Sequence, residues 1–144
     1  MKPITLLPIS LRAFLGTAAV LCAATAGMAQ AAETQTLISG VKIVHTAVGT
    51  GPMPTATDRV KVHYRGTLPD GTEFDSTYKD GTPVVSPLNK VIRCWTQALQ
   101  HMKVGSKATL SCPAELAYGS KGAGDVIMPN TALTFEVELL GIEK

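Results

Sequence analysis

The 144-residue chain has no run of Lys or Arg, three isolated histidines and only three cysteines. Each scarcity removes a class of function. Thirteen basic residues stand against 11 acidic ones, and two of the basic residues, Lys2 and Arg12, lie in the first 31, a stretch without any acidic residue. The other 113 residues therefore carry 11 charges of each sign. A near-neutral domain of this kind lacks the electrostatic footprint of a nucleic-acid binder or of a polybasic membrane-surface binder. His45, His63 and His101 do not fall at the spacing of a helical metal-ligand pair. No Gly-x-Ser-x-Gly presents a nucleophilic serine. Gly49-Thr50-Gly51 and Gly122-Ala123-Gly124 lack the Lys-Ser/Thr that completes a phosphate cradle. Asp70, Asp75 and Asp80 recur at intervals of five without the pattern of a calcium loop. No Cys-x-x-Cys supports dithiol exchange. Neither a metal nor a cofactor is expected.

The start of the chain reads as an export signal, residues 1–31. Lys2 and Arg12 precede a stretch from Ala13 to Ala26 that is apolar or small apart from Gly16, Thr17 and Thr25, and Ala29-Gln30-Ala31 is a small-x-small cleavage site. The apolar stretch is too short to span a bilayer, which takes about 20 residues, and it inflates the mean hydropathy of the whole chain. Cleavage after Ala32 is the near alternative. A lipoprotein reading through Cys22 is weakened by Leu21 and Ala19, where a small residue and Leu belong. The signal points to a periplasm. In that oxidising compartment the two cysteines outside the leader, Cys94 and Cys112, have one possible pairing, and a disulfide leads over two buried thiols.

Residues 32–144 form one domain. Ala32 to Thr36 is polar and reads as a frayed terminus. Val41, Ile43 and His45 alternate as in a strand. Val60, Val62 and Tyr64 share one face of the next strand, and Lys61, His63 and Arg65 the other. Pro69-Asp70-Gly71-Thr72 is a tight turn. Trp95, Leu99 and Met102, with Ala98 between, mark one helix with Gly105 as its stop. Lys107 to Cys112 is strand-like. Pro113 to Asn130 is a long loop of the functional sort. Leu133, Phe135, Val137 and Leu139 give the clearest alternation. The expected fold is α+β: an antiparallel sheet of four to six strands on one short helix.

Three ordered strings carry a resemblance. Val60-Lys61-Val62-His63-Tyr64-Arg65-Gly66-Thr67-Leu68, Asp70-Gly71 and Phe74-Asp75-Ser76 form the first. Val91-Ile92-Arg93-Cys94-Trp95, Leu99 and Met102-Lys103-Val104-Gly105 form the second. Pro113, Ala117-Tyr118-Gly119, Ile127, Pro129-Asn130 and Leu133 to Leu140 form the third. Together, over residues 37–144, they resemble the FKBP-type peptidyl-prolyl cis-trans isomerases.

The resemblance implies a five- to six-stranded antiparallel half-barrel curled round the helix. It also implies an apolar pocket lined by Tyr64, Phe74, Val84, Val91, Trp95, Ile127 and Phe135, with Trp95 as floor. Asp75 at the rim, the Ile92 backbone N–H and the Tyr118 hydroxyl are the implied catalytic contacts. The alternative for Val91, Ile92, Trp95 and Phe135 is plain core packing, and for Asp75 a turn cap. Ser86 falls where many relatives carry Phe, so one wall of the pocket is expected to be more open, and Cys94 replaces a Gly before the Trp. The implied activity is rotation of X–Pro bonds in unfolded or flexible polypeptides, with macrolide inhibitors of the family as further ligands and a monomer as the default. A chaperone on the same fold, gripping chains with its Pro113 to Asn130 loop, is the first alternative. A β-rich module whose Trp95 is only core is the second.

Overall fold

The computed structural model describes residues 33–144; the leader, its cleavage site and Cys22 lie outside the described residues. Strands β1 (Glu33–Thr36), β2 (Lys42–Ala47), β3 (Arg59–Thr67), β4 (Glu73–Ser76) and β5 (Val84–Pro87) precede helix α1 (Arg93–Leu99), and β6 (Lys107–Cys112) and β7 (Leu133–Glu143) follow it. The strands make one sheet in the order β1-β2-β6-β7-β3-β4, with β5 also on β3, and every pairing is antiparallel. The long β3–β7 pair is its spine. Among the described residues no helix is long and apolar enough to cross a membrane.

Alternation builds the core. On β3, Val60 and Val62 are buried with Tyr64 beside them; on β7, Leu133, Phe135, Val137 and Leu139 are buried. Register then stacks these residues across strands: Ile43 faces Leu110, Leu110 faces Phe135, and Phe135 faces Gly66. A shift of one residue would turn every one of these side chains to water, so burial itself locks the pairing. Past Leu139 an extra residue on β7 breaks the alternation, since Val62 pairs with Leu139 but Lys61 with Gly141. Leu140 is left on the outer side, partly exposed.

Helix α1 has seven residues, too few to hold together in water by itself. Packing stabilises it. Cys94, Trp95, Ala98 and Leu99 form its buried face, and Met102, just past its end, is fully buried as well. The expected helical spacing to Met102 ends one turn early. The N–H of His101 bonds to the Ala98 carbonyl at 3.0 Å and that of Met102 to Leu99 at 3.1 Å, a tightening onto i−3 partners. Gly105 then takes φ +93° and sends the chain into β6, its N–H on the Leu139 carbonyl at 2.8 Å. Cys94 and Cys112 are joined, with their Cα atoms 5.6 Å apart, so the helix start is tied to the end of β6.

One expectation is corrected. The polar segment before Leu37 is not frayed but forms β1, paired with β2 from Glu33↔His45 to Thr36↔Lys42. It adds an edge strand to the expected antiparallel half-barrel, which then has seven strands in one sheet. Backbone hydrogen bonds hold it, and its largely exposed side chains leave no apolar alternation to read. Pro113 to Asn130 is a long loop, as expected. It contains short 3-10 turns at Ala114–Leu116 and Gly119–Lys121 and a β-bridge between Ala123 and Ile127.

Candidate active site

A cleft of about 310 Å³ opens between the sheet and the start of α1. Tyr64 and Phe135 come to it from the spine of the sheet, Phe74 and Asp75 from β4, and Val84 and Ser86 from β5. Lys90, Val91, Ile92 and Trp95 come from the entry to α1, and Tyr118 from the long loop. The chain thus brings together every site residue expected from its sequence except one. Ile127 is only 4% exposed and packs in the core, outside the cleft lining. The Ala123–Ile127 bridge, with its two bonds of 2.8 and 3.0 Å, turns that side chain inward to fasten the loop. Ser86 and Lys90 were not among the expected site residues. The resemblance puts Ser86 at the more open wall of the pocket, whereas no motif marks Lys90.

The walls are a cluster of rings set edge to face. Trp95 lies 4.9 Å from Tyr64 at 80° and 5.4 Å from Phe135 at 83°, and Phe74 lies 5.7 Å from Phe135 at 86°. Each such contact is favourable by about 0.5–1.5 kcal/mol beyond area burial. The rings fit because Gly66, between them on β3, has no side chain: a Cβ there would stand 2.5 Å from Cζ of Phe74 and 3.0 Å from Cε1 of Phe135. Trp95, 6% exposed, lines the cleft from the core side. Its indole N–H is buried without an acceptor among the described residues.

Polar groups stand at the edge. The Tyr64 hydroxyl donates to Oδ2 of Asp75, while Oδ1 of Asp75 accepts the Ser76 N–H at 2.9 Å. Burial, and then the Asp75 carboxylate, push the Tyr64 phenol well above its ordinary range, so it stays neutral. No backbone carbonyl among the described residues takes the Ile92 N–H. Tyr118 is 40% exposed on the lining. The described residues contain no group of three or more His, Cys, Asp or Glu placed to hold a metal ion. The arrangement is an aromatic cup with a few fixed polar groups at its mouth.

Such a half-barrel, with an aromatic cleft over a short helix, defines a class. It superimposes on the crystal structure of a peptidyl-prolyl cis-trans isomerase from Pseudomonas syringae pv. tomato with a TM-score of 0.73 and 42% identity, covering 83% of this chain and 87% of that one. The family model for FKBP-type peptidyl-prolyl cis-trans isomerases matches residues 51–140. The chain belongs to this family. It is 54% identical over 106 residues to the isomerase FkpA of Aeromonas hydrophila, covering 74% of this chain and 39% of that protein. It is 52% identical over 104 residues to the FKBP-type 22 kDa isomerase of Escherichia coli, covering 72% and 50%. It thus spans half or less of the length of these two relatives.

Proposed function

We propose that the chain accelerates rotation about X–Pro bonds of exported, unfolded or flexible polypeptides, by non-covalent stabilisation of the twisted amide. The observation that carries this is the cleft itself: four aromatic rings around a hollow of about 310 Å³, with Tyr118 and the uncommitted Ile92 N–H beside it.

The X–Pro bond resists rotation by about 18–20 kcal/mol because twisting uncouples the nitrogen lone pair from the carbonyl. The twisted form is less zwitterionic and its nitrogen accepts a hydrogen bond more readily. A site favours it by seating the pyrrolidine ring among apolar side chains, desolvating the carbonyl and holding donors in place. Trp95, Phe74, Val91, Ile92 and Phe135 supply the seat, and the Ile92 N–H and Tyr118 hydroxyl the donors. Asp75 holds Tyr64 and is the rim anion. A thousand-fold acceleration requires only about 4 kcal/mol of differential stabilisation, so no nucleophile or metal is needed.

Export to a periplasm is part of the same proposal, supported by the leader-like first 31 residues and by the Cys94–Cys112 bond, which suits an oxidising compartment. A chaperone reading draws on Val126 and Met128, which are 54% and 66% exposed on the loop beside Tyr118. Proline tetrapeptide exchange, followed by NMR without a coupling protease, separates the two. Acceleration that is lost in Tyr118→Phe and reduced in Asp75→Ala supports the isomerase. No acceleration, with retained suppression of client aggregation, supports the chaperone. A macrolide inhibitor of the family should compete for the cleft and quench Trp95, the single tryptophan.

A further inference from the structure

Two charged side chains line the cleft, Asp75 and Lys90. They differ in how far the fold already supplies their hydrogen-bond partners. Both oxygens of Asp75 are engaged, by the Tyr64 hydroxyl and the Ser76 N–H. Lys90 is exposed and takes no part in the ion pairs found among the described residues, which join Arg65, Lys79 and Lys107 to Glu73, Glu136 and Glu138. Arg93, three residues on, does not line the cleft. The two charges also arrive from different elements. Asp75 sits on β4, which pairs the Arg65–Thr67 end of β3, whereas Lys90 follows β5, which pairs the Arg59–Val62 end. On the Lys90 side the wall also holds the Ser86 hydroxyl. An ammonium beside low-dielectric aromatic walls acts through a stronger field than one in open water.

We infer that Lys90 is a specificity-determining residue of the cleft, whose charge raises the affinity for polypeptides with an acidic residue directly next to the proline relative to those with a neutral or basic one. The inference rests on the proposed use of the cleft for proline peptides. Asp75 gives it a direction. A carboxylate near the Asp75 end is repelled, so the preference falls on one side of the proline only. Because Lys90 is exposed, the preference is modest, about two- to five-fold, the range of solvent-exposed ion pairs. It fades with salt, since the screening length is about 10 Å at 0.1 M and 3 Å at 1 M.

The test uses end-capped tetrapeptides bearing Glu, Leu or Lys before or after the proline, with affinity read from Trp95 fluorescence and catalysis from NMR exchange. For the natural chain the Glu-to-Leu affinity ratio should exceed that of Lys90→Gln by about two- to five-fold, for one of the two peptide positions. It should fall further in Lys90→Glu and shrink in 1 M salt. Equal ratios in all three proteins overturn the inference, whether or not catalysis is seen. Binding with the acid preference but without acceleration leaves the inference standing and removes the isomerase reading. No binding of any peptide overturns both.

Discussion

The hydroxyl of Tyr64 on β3 donates to the carboxylate of Asp75 on β4, so two neighbouring strands close one edge of the cleft with a single charge-assisted bond. Tyr64 also lays its ring at 80° to Trp95. One side chain thus couples the rim anion to the indole.

Removing that hydroxyl in Tyr64→Phe should cost about 1 kcal/mol, because the exposed Asp75 regains water once its partner is gone. Alkaline behaviour should change too. The folded phenol is raised above its unfolded value, so its contribution is complete below about pH 10 and is lost as pH climbs beyond it. Melting temperatures from pH 8 to 11 should fall more steeply for the natural chain than for Tyr64→Phe. Parallel curves would show that Tyr64 titrates alike folded and unfolded.

Gly66→Ala tests the space beneath the rings. Its new methyl would meet Phe74 and Phe135 at 3.0 Å or less. Overpacking of this kind costs about 1–3 kcal/mol, and the displaced rings should weaken peptide affinity as well. Urea denaturation and Trp95 titration measure the two effects. Unchanged affinity alongside lost stability would mean that the rings do not contact the ligand.

Breaking the bridge in Cys94→Ala/Cys112→Ala should lower stability by about 3 kcal/mol, the entropy of an 18-residue loop. The melting temperature should drop on the order of 10 °C. Mass spectrometry of the denatured, unreduced protein should find no free thiol at either position. Free thiols there would remove both the bond and the argument for an oxidising compartment.

Ser86→Phe should close the open wall of the cleft. The added ring lines an existing aromatic cluster, and about 1 kcal/mol of extra contact predicts a fall in KM of roughly five-fold for peptides with an apolar residue beside the proline. A KM that does not move would place Ser86 away from the bound chain.

The α+β fold and the core were legible because the alternation on β3 and β7 and the spacing of Trp95, Ala98 and Leu99 are direct consequences of burial. The shared cleft of Tyr64, Phe74, Asp75, Ile92, Trp95, Tyr118 and Phe135 was legible only through the family's ordered motifs, since apolar alternation alone reads as core. Where physical signals are weak, the sequence was silent. β1 is held by backbone bonds and carries no apolar period. Ile127 points inward because a two-bond bridge turns it, a tertiary detail invisible in Gly122 to Pro129. Lys90 lines the cleft through its place after β5, and no motif marks it.

The covalent tie between Cys94 and Cys112 sits one residue from the indole at the base of the cleft. Neighbouring positions on α1 therefore share a covalent anchor to the end of β6. Under the proposed activity, the floor of the cleft is held to the sheet by a covalent bond as well as by packing while a bound chain turns above it.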